Sequence, residues 1–122
     1  MGGLLVFLGG GLGALIRCFL YLILPKNCAF PLCTLCANFF GCFIATVVFT
    51  YLITKGDFHP QYKIFLITGF CGGLSTLSAL SLEVLYFMQQ GSYFKATLYI
   101  LTSLLICIIS VILGVALVKK YV

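Results

Sequence analysis

Four long apolar segments restrict what this chain can fold into. They predict helices at about residues 3–24, 32–54, 64–88 and 95–118, joined by short loops. About 20 apolar residues in a helix cross the roughly 30 Å of hydrocarbon in a bilayer. Only 7% of the residues are charged, which is too few to cover the surface of a soluble domain. The sequence therefore predicts an all-α membrane protein, a single domain over residues 1–122 with four transmembrane helices.

The basic residues indicate the orientation of these helices but no nucleic-acid partner. The net charge is +5, yet the basic residues are spread over loops and the C-terminus without a basic face. With four helices, one side of the membrane carries Lys55, Lys63, Lys119 and Lys120, and the other carries Lys26 and Lys95. This small bias favours a cytoplasmic N-terminus. It is compatible with insertion in both orientations and an antiparallel dimer, or with a fixed orientation and a separate flipped partner.

Small residues and cysteines indicate helix packing. Small residues recur at helical spacing at Gly9, Gly13, Ala37, Gly41 and Ala45. Such faces allow close approach of helices, either within one subunit or between two. Seven cysteines are present, including the pair in "CTLC" (Cys33 and Cys36), but the only histidine is His59. We interpret the thiols as structural, because a zinc site needs further ligands.

Polar residues inside the apolar segments are candidates for function, because hydrocarbon offers them no partner. Arg17 lies in the first segment, where it either extends to the interface or provides a fixed positive charge that attracts anions. Asn38 lies one turn after Thr34 on the second helix, where the alternative is a structural interhelical hydrogen bond. Tyr99, Ser103 and Cys107 follow one another at spacings of four residues, which places them on one face of the fourth helix. These lines of polar groups predict an ion path.

The stretch "TGFCGGLSTLSALSLE" predicts a break in the third helix. Its three glycines, Gly69, Gly72 and Gly73, each weaken a helix by about 1 kcal/mol relative to alanine. Broken helices at membrane depth occur where the backbone lines a cavity or coordinates an ion. We expect a break over residues 72–75 with carbonyl groups turned inward, which suits a hard cation such as Na⁺. The hydroxyls that follow, Ser78 among them, satisfy backbone groups or line a path.

The motifs "GGGLGALIR", "NFFG" and "TGFCGGLST" together resemble the Fluc (CrcB) family of bacterial fluoride channels over essentially the whole chain. The resemblance implies an antiparallel, dual-topology homodimer in the bacterial cell membrane, with two fluoride pores and a role in fluoride efflux. It implies a central Na⁺ held by the backbone carbonyls of Gly72 and Ser75. The resemblance and our own interpretation of the polar pattern together give these candidate pathway residues: Arg17, Thr34, Asn38, Ser78, Tyr99 and Ser103.

The chain departs from that family at two positions. Where the family motif has two phenylalanines whose ring edges contact fluoride, this sequence has Leu77 and Leu80. Three explanations stay open: a partner subunit supplies the rings, the hydroxyls suffice, or the chain conducts poorly. The remaining alternatives are a non-conducting or partner-dependent subunit and an exporter of the small-multidrug-resistance type. The exporter needs a carboxylate in the first helix, which this chain lacks. No constellation of residues typical of an enzyme is present.

Overall fold

The computed structural model describes residues 1–56 and 59–122, so Asp57 in the predicted 55–63 loop lies outside the described residues. The elements in chain order are α1 (Gly2–Ile23), α2 (Leu32–Lys55), α3 (Pro60–Tyr62), a π-helical stretch (Lys63–Cys71), α4 (Gly72–Leu74), α5 (Leu77–Gln89) and α6 (Tyr93–Tyr121). Elements α3 to α5 form one span, Pro60–Gln89, and four spans are long and apolar enough to cross a membrane. The prediction of an all-α protein with four transmembrane helices is confirmed.

The third span is interrupted between α4 and α5. Ser75 and Thr76 have extended backbone conformations, with ψ of 149° and 121°. Gly72, in contrast, is still right-handed helical, with φ −65° and ψ −34°. The helix therefore breaks at the end of the predicted 72–75 stretch rather than at its glycines. The π-helical stretch that precedes the break is itself a rare conformation that is frequently found at functional sites.

Gly73 instead, together with glycines of α1, allows α1 to lie close to the third span. A Cβ atom added at Gly13 would collide with the backbone oxygen of Phe70 and lie 2.7 Å from the amide nitrogen of Leu74. A Cβ added at Gly73 would similarly collide with the backbone of Gly10. Backbone atoms cannot move aside as a flexible side chain can, so only glycine fits these positions. These small residues therefore pack within one subunit, which was one of the two roles expected for Gly9 and Gly13.

Helices α2 and α6 lie side by side and run in the same direction. The Ser110 hydroxyl donates to the carbonyl oxygen of Phe39 at 2.6 Å. Two turns further along α2, a Cβ at Gly114 would lie 3.0 Å from the side chain of Thr46. The buried cluster of Leu35, Leu80, Phe87, Ala96 and Tyr99 lies at the end of the bundle where these two helices begin.

Candidate ion pathway

Asn38 holds the backbone of the break. Its Nδ2 donates to the carbonyl oxygen of Thr76 at 3.3 Å, and its Oδ1 accepts from the Thr76 amide at 2.7 Å. Both residues are buried, so these bonds replace the helical partners that Thr76 loses where the helix ends. The Thr76 hydroxyl in turn accepts from the amide of Ala79 at 3.3 Å and caps α5. One set of hydrogen bonds thus joins Asn38 to Thr76 and Thr76 to the start of α5.

At the break, two backbone amides donate to side chains instead of to the carbonyl groups that they would bond in a continuous helix. In a continuous α-helix, the Gly72 carbonyl would accept from the amide of Thr76, but that amide donates to Asn38. The Ser75 carbonyl would accept from the amide of Ala79, which donates to the Thr76 hydroxyl. The amide and hydroxyl of Ser75 itself both donate to the carbonyl oxygen of Cys71, at 2.9 and 2.8 Å. Gly72 lies on the surface of the single chain and Ser75 is half-buried.

A carboxylate joins the predicted line of polar residues. Glu83 accepts a hydrogen bond from the hydroxyl of Thr34 at 2.7 Å and another from that of Tyr99 at 2.5 Å. The Ser103 hydroxyl donates to the carbonyl oxygen of Tyr99, its own residue i−4, at 2.8 Å. Tyr99 is fully buried, and Thr34 and Ser103 are almost so. The structure therefore brings Thr34, Tyr99 and Ser103 together, around an acid that the sequence analysis did not include.

Aromatic rings enclose the Tyr99 side chain. The Phe30 ring stacks on it with centroids 5.4 Å apart, and the Phe87 ring meets it edge-on at 5.7 Å. The Lys95 ammonium lies over the Phe87 ring, 4.8 Å from its centroid. Aromatic rings therefore border the pathway at Phe30 and Phe87. Phe30 lies four residues before Thr34, and Phe87 lies seven residues after Leu80, one of the two motif leucines. The edge-on geometry directs the positive rim of one ring toward its neighbour.

Two cavities lie at the ends of this arrangement. The inner cavity, about 220 Å³, is lined by Asn38, Cys42, Ser75, Thr76, Leu77, Leu80, Ser103, Leu104 and Cys107. The outer cavity, about 540 Å³, lies at the α1–α2 loop and includes Lys26, Phe30, Glu83, Phe87 and Lys95 in its lining. Ser103 borders the inner cavity and Glu83 the outer one, and Tyr99 hydrogen-bonds to both of these residues. The buried polar groups thus connect the two cavities.

The other predicted residues are less central. Leu80 is buried in the core, whereas Leu77 is 74% exposed on the single chain, although both line the inner cavity. Ser78 is exposed, and its hydroxyl lies 3.1 Å from that of Thr76. Arg17 is half-buried, and its carbonyl accepts from the Cys33 thiol at 3.6 Å. Arg17 is not among the residues that line either cavity.

Glu83 could have been found from the sequence by its spacing. It follows Leu80 by three residues and precedes Phe87 by four, so all three lie on one helical face. An acid within a membrane span is expected to have a function or a specific partner. The sequence analysis asked only for an acid in the first helix and so left Glu83 out. The contribution of Phe30 had no comparable signal, because it lies in a loop outside any helical period.

The fold and the site define a small multi-pass membrane protein in which buried polar groups form a path between two cavities. A family model described as CrcB-like protein, Camphor Resistance (CrcB), matches residues 4–115. The chain belongs to this family, which confirms the resemblance seen in its motifs.

Relatives with assigned names are similar along most of the chain. A protein of Pyrococcus horikoshii named fluoride-specific ion channel FluC is 39% identical over 116 residues, which cover 95% of this chain and 94% of the relative. A protein of the same name from Pyrococcus abyssi is 39% identical over 117 residues, or 96% and 95% of the two chains. One from Escherichia coli (strain K12) is 40% identical over 103 residues, covering 84% and 81%.

Proposed function

We infer that this chain is a fluoride-selective ion channel that lets F⁻ leave the cell passively. The observation that carries this inference is the buried polar path from Asn38 and Ser103, through Tyr99, to Glu83 at the outer cavity. The names of the relatives identify the ion as fluoride. As a member of a family of channels, the protein is not an enzyme.

Hydrogen-bond donors along the path replace the water that F⁻ loses on entering hydrocarbon. The Asn38 amide carries two N–H groups, of which one is bonded to Thr76. We assign the other to the anion, because Asn38 lines the inner cavity and its pairing with Thr76 fixes the plane of the amide. Further along, F⁻ competes with Glu83 and with the Tyr99 carbonyl for the protons of Thr34, Tyr99 and Ser103. The Ser78 hydroxyl, exposed and within hydrogen-bond distance of that of Thr76, is a further candidate donor.

Charge supports the attraction of an anion to the outer cavity. Lys26 and Lys95 both belong to its lining, and their ammonium groups lie over aromatic rings, 4.5 Å from the Tyr21 centroid and 4.8 Å from the Phe87 centroid. Cation–π contacts hold these long side chains without neutralising them. Arg17 remains a candidate for the same task on α1, as the sequence predicts.

An antiparallel dimer with a structural Na⁺ is part of this proposal. Gly72 and Ser75 are candidate ligands because the amides that would bond to their carbonyls in a helix donate elsewhere. Na⁺ is a hard cation that prefers such oxygen ligands. The exposure of Gly72 leaves its carbonyl accessible to a second copy, and two carbonyls from each copy would give four ligands. Ion-replacement crystallography should find an ion between these four oxygens; density for a water alone would contradict this proposal.

Two other functions are less well supported. A cation exporter needs an acid free to exchange protons with its substrate, but both oxygens of Glu83 accept hydrogen bonds from buried hydroxyls. A subunit that conducts only with a homologous flipped partner stays the main alternative, because Leu77 and Leu80 replace the rings of the family motif. The homodimer is favoured because Phe30 and Phe87 place aromatic rings beside the path in this chain itself.

Fluoride efflux from liposomes that contain only this protein tests the function. With valinomycin present to balance charge, we expect release of F⁻ that is slower than from a phenylalanine-bearing relative, no comparable release of Cl⁻, and a current that requires no proton gradient. Protein-free liposomes are the control for leakage of HF. Electrically silent transport that depends on protons would overturn the channel mechanism. Efflux only after a second homologue is added would establish the partner-dependent alternative.

A further inference from the structure

The outer cavity is much larger than a fluoride ion needs. Its volume is about 540 Å³, whereas a water molecule takes up roughly 30 Å³ in the liquid. Sites for organic ligands typically measure about 300–1,000 Å³ and combine an apolar lining with a few polar groups. The lining of this cavity has the same character, with Leu24, Leu32, Leu82 and Tyr86 beside Lys26 and Lys95. The cavity therefore has room for a ligand other than the transported ion.

The positive charge of this cavity has no acidic partner in the part of the chain that the structure describes. The ammonium groups of Lys26 and Lys95 each lie over an aromatic ring, 4.5 and 4.8 Å from its centroid. Glu83 also borders the cavity, but its two oxygens accept hydrogen bonds from buried hydroxyls and form no ion pair with either lysine. A ligand with a negative charge would supply the counter-ion that the two lysines lack.

The cationic and apolar parts of the lining lie at different depths in the membrane. Helices α5 and α6 form a hairpin, so Lys95 near the start of α6 lies level with Phe87 near the end of α5, and its ammonium contacts that ring. Leu82 lies five residues before Phe87, which is about 8 Å deeper along the helix. Leu82 and Tyr86 are 67% and 58% exposed on the single chain. The lining thus changes from cationic at the helix ends, where a bilayer has its headgroups, to apolar toward the hydrocarbon.

We propose that the outer cavity binds one anionic phospholipid from the bilayer. Its phosphate lies near Lys26 and Lys95, and the first part of an acyl chain follows Leu82 and Tyr86. Such a lipid has its charge and its apolar surface in the same order as the cavity lining, and basic residues at the membrane surface attract anionic lipids. One phosphodiester carries a single negative charge, so it does not neutralise both ammonium groups. The proposal is independent of the proposed function, because the lipid would bind whether or not the chain conducts F⁻.

Native mass spectrometry of the protein in detergent measures this binding without any measurement of transport. The probes are phosphatidylglycerol and phosphatidylcholine with identical acyl chains, and glycerol phosphate as a headgroup without chains. We expect one phosphatidylglycerol per chain, bound roughly tenfold more tightly than phosphatidylcholine, because only the former has a net negative charge. Equal affinity for the two lipids would overturn the proposal. Equal affinity for glycerol phosphate would overturn it as well, since the site would then bind a free phosphate. A dimer without lipid would show that a second copy covers the cavity, which also contradicts the proposal.

Variants test whether the lipid is held by this cavity. Lys26→Gln and Lys95→Gln should each weaken the binding of phosphatidylglycerol about fivefold, whereas Lys95→Arg keeps the charge and should bind like the wild type. Leu82→Ser, which removes apolar surface, should weaken the binding of both lipids alike. Lys120→Gln is the matched control, because the Lys120 ammonium also lies over a ring, 5.6 Å from the Tyr121 centroid, but borders neither cavity.

The comparison of these lysines decides between a built site and general surface charge. Thermal unfolding followed by circular dichroism first establishes that each variant is folded like the wild type. If Lys120→Gln weakened the binding of phosphatidylglycerol as much as Lys95→Gln, surface charge would hold the lipid and the proposal would fail. Loss of binding in Lys26→Gln and Lys95→Gln alone, with recovery in Lys95→Arg, would support it.

Discussion

Replacing Asn38 perturbs the fold and the conduction path together. Asn38→Ala leaves both the amide and the carbonyl of Thr76 without the partners they now have at 2.7 and 3.3 Å. Each buried polar group left unsatisfied costs about 1–3 kcal/mol, so the sum is roughly 2–6 kcal/mol. Water can enter the inner cavity beside Thr76 and replace part of the lost bonding. We therefore expect the lower half of this range, about 2–4 kcal/mol.

Asn38→Asp separates the two contributions of the side chain. A carboxylate still accepts from the Thr76 amide, but its second oxygen faces the Thr76 carbonyl without a proton between them. It also places a negative charge where the N–H for F⁻ is assigned. We expect Asn38→Asp to destabilise the protein more than Asn38→Ala and to abolish fluoride flux, whereas Asn38→Ala retains a small residual flux.

Thermal unfolding followed by circular dichroism, together with fluoride efflux, measures both effects. Asn27→Ala is the matched control, because it makes the same deletion at an exposed position in the α1–α2 loop. The reasoning would be refuted if Asn38→Ala melted at the wild-type temperature and conducted at the wild-type rate. If Asn38→Ala melted lower but kept full flux, Asn38 would be a structural residue only.

Three further predictions concern the motif leucines, the helix contact and the acid. Leu77→Phe with Leu80→Phe should raise the fluoride efflux rate per dimer, because ring edges then line the inner cavity; a slower double variant would indicate that the hydroxyl track suffices and rings obstruct it. Gly13→Ala should lower stability by about 1–3 kcal/mol through collision with backbone, whereas Gly3→Ala, which meets nothing within 4 Å, should melt like the wild type. Glu83→Ala should reduce flux and stability more than Glu83→Gln, since Gln keeps an oxygen acceptor for one hydroxyl; equal losses in efflux and melting would show that only the charge matters.

The sequence was sufficient for the fold because the bilayer requires long apolar helices. Four such helices and a break in the third follow from hydropathy and from the glycine-rich stretch. The position of the break did not follow from glycine content. Gly72 stays helical, Gly73 lacks a side chain where the backbone of α1 approaches at Gly10, and the extended residues are Ser75 and Thr76. The low helix propensity of glycine predicted an interruption in this stretch, whereas tertiary packing determined which residues are non-helical.

The structure brings several of the proposed pathway residues together, but their connections and the place of Glu83 among them did not follow from the sequence. The i, i+4 spacing places Tyr99 and Ser103 on one face, and the Ser103 hydroxyl donates to the carbonyl of Tyr99, its own residue i−4. Pairing between helices depends on register, which no single helix encodes. The contacts of Glu83 with Thr34 and of Asn38 with Thr76 join residues that are 49 and 38 positions apart. Such contacts could be inferred only once the helices were packed.

Glu83 raises a physical question for any anion path. A fluoride ion about 5 Å from an ionised carboxylate would be repelled by roughly 3 kcal/mol at an effective dielectric constant near 20. The same carboxylate accepts hydrogen bonds from the hydroxyls of Thr34 and Tyr99, and so holds both hydroxyls in fixed positions beside the outer cavity. Without it, two buried hydroxyls would need other acceptors, which hydrocarbon does not provide. The basic groups of Lys26 and Lys95 at that cavity offset part of the repulsion. The acid therefore acts on fluoride through the hydroxyls it orients, which is why its replacement by Gln and by Ala should differ.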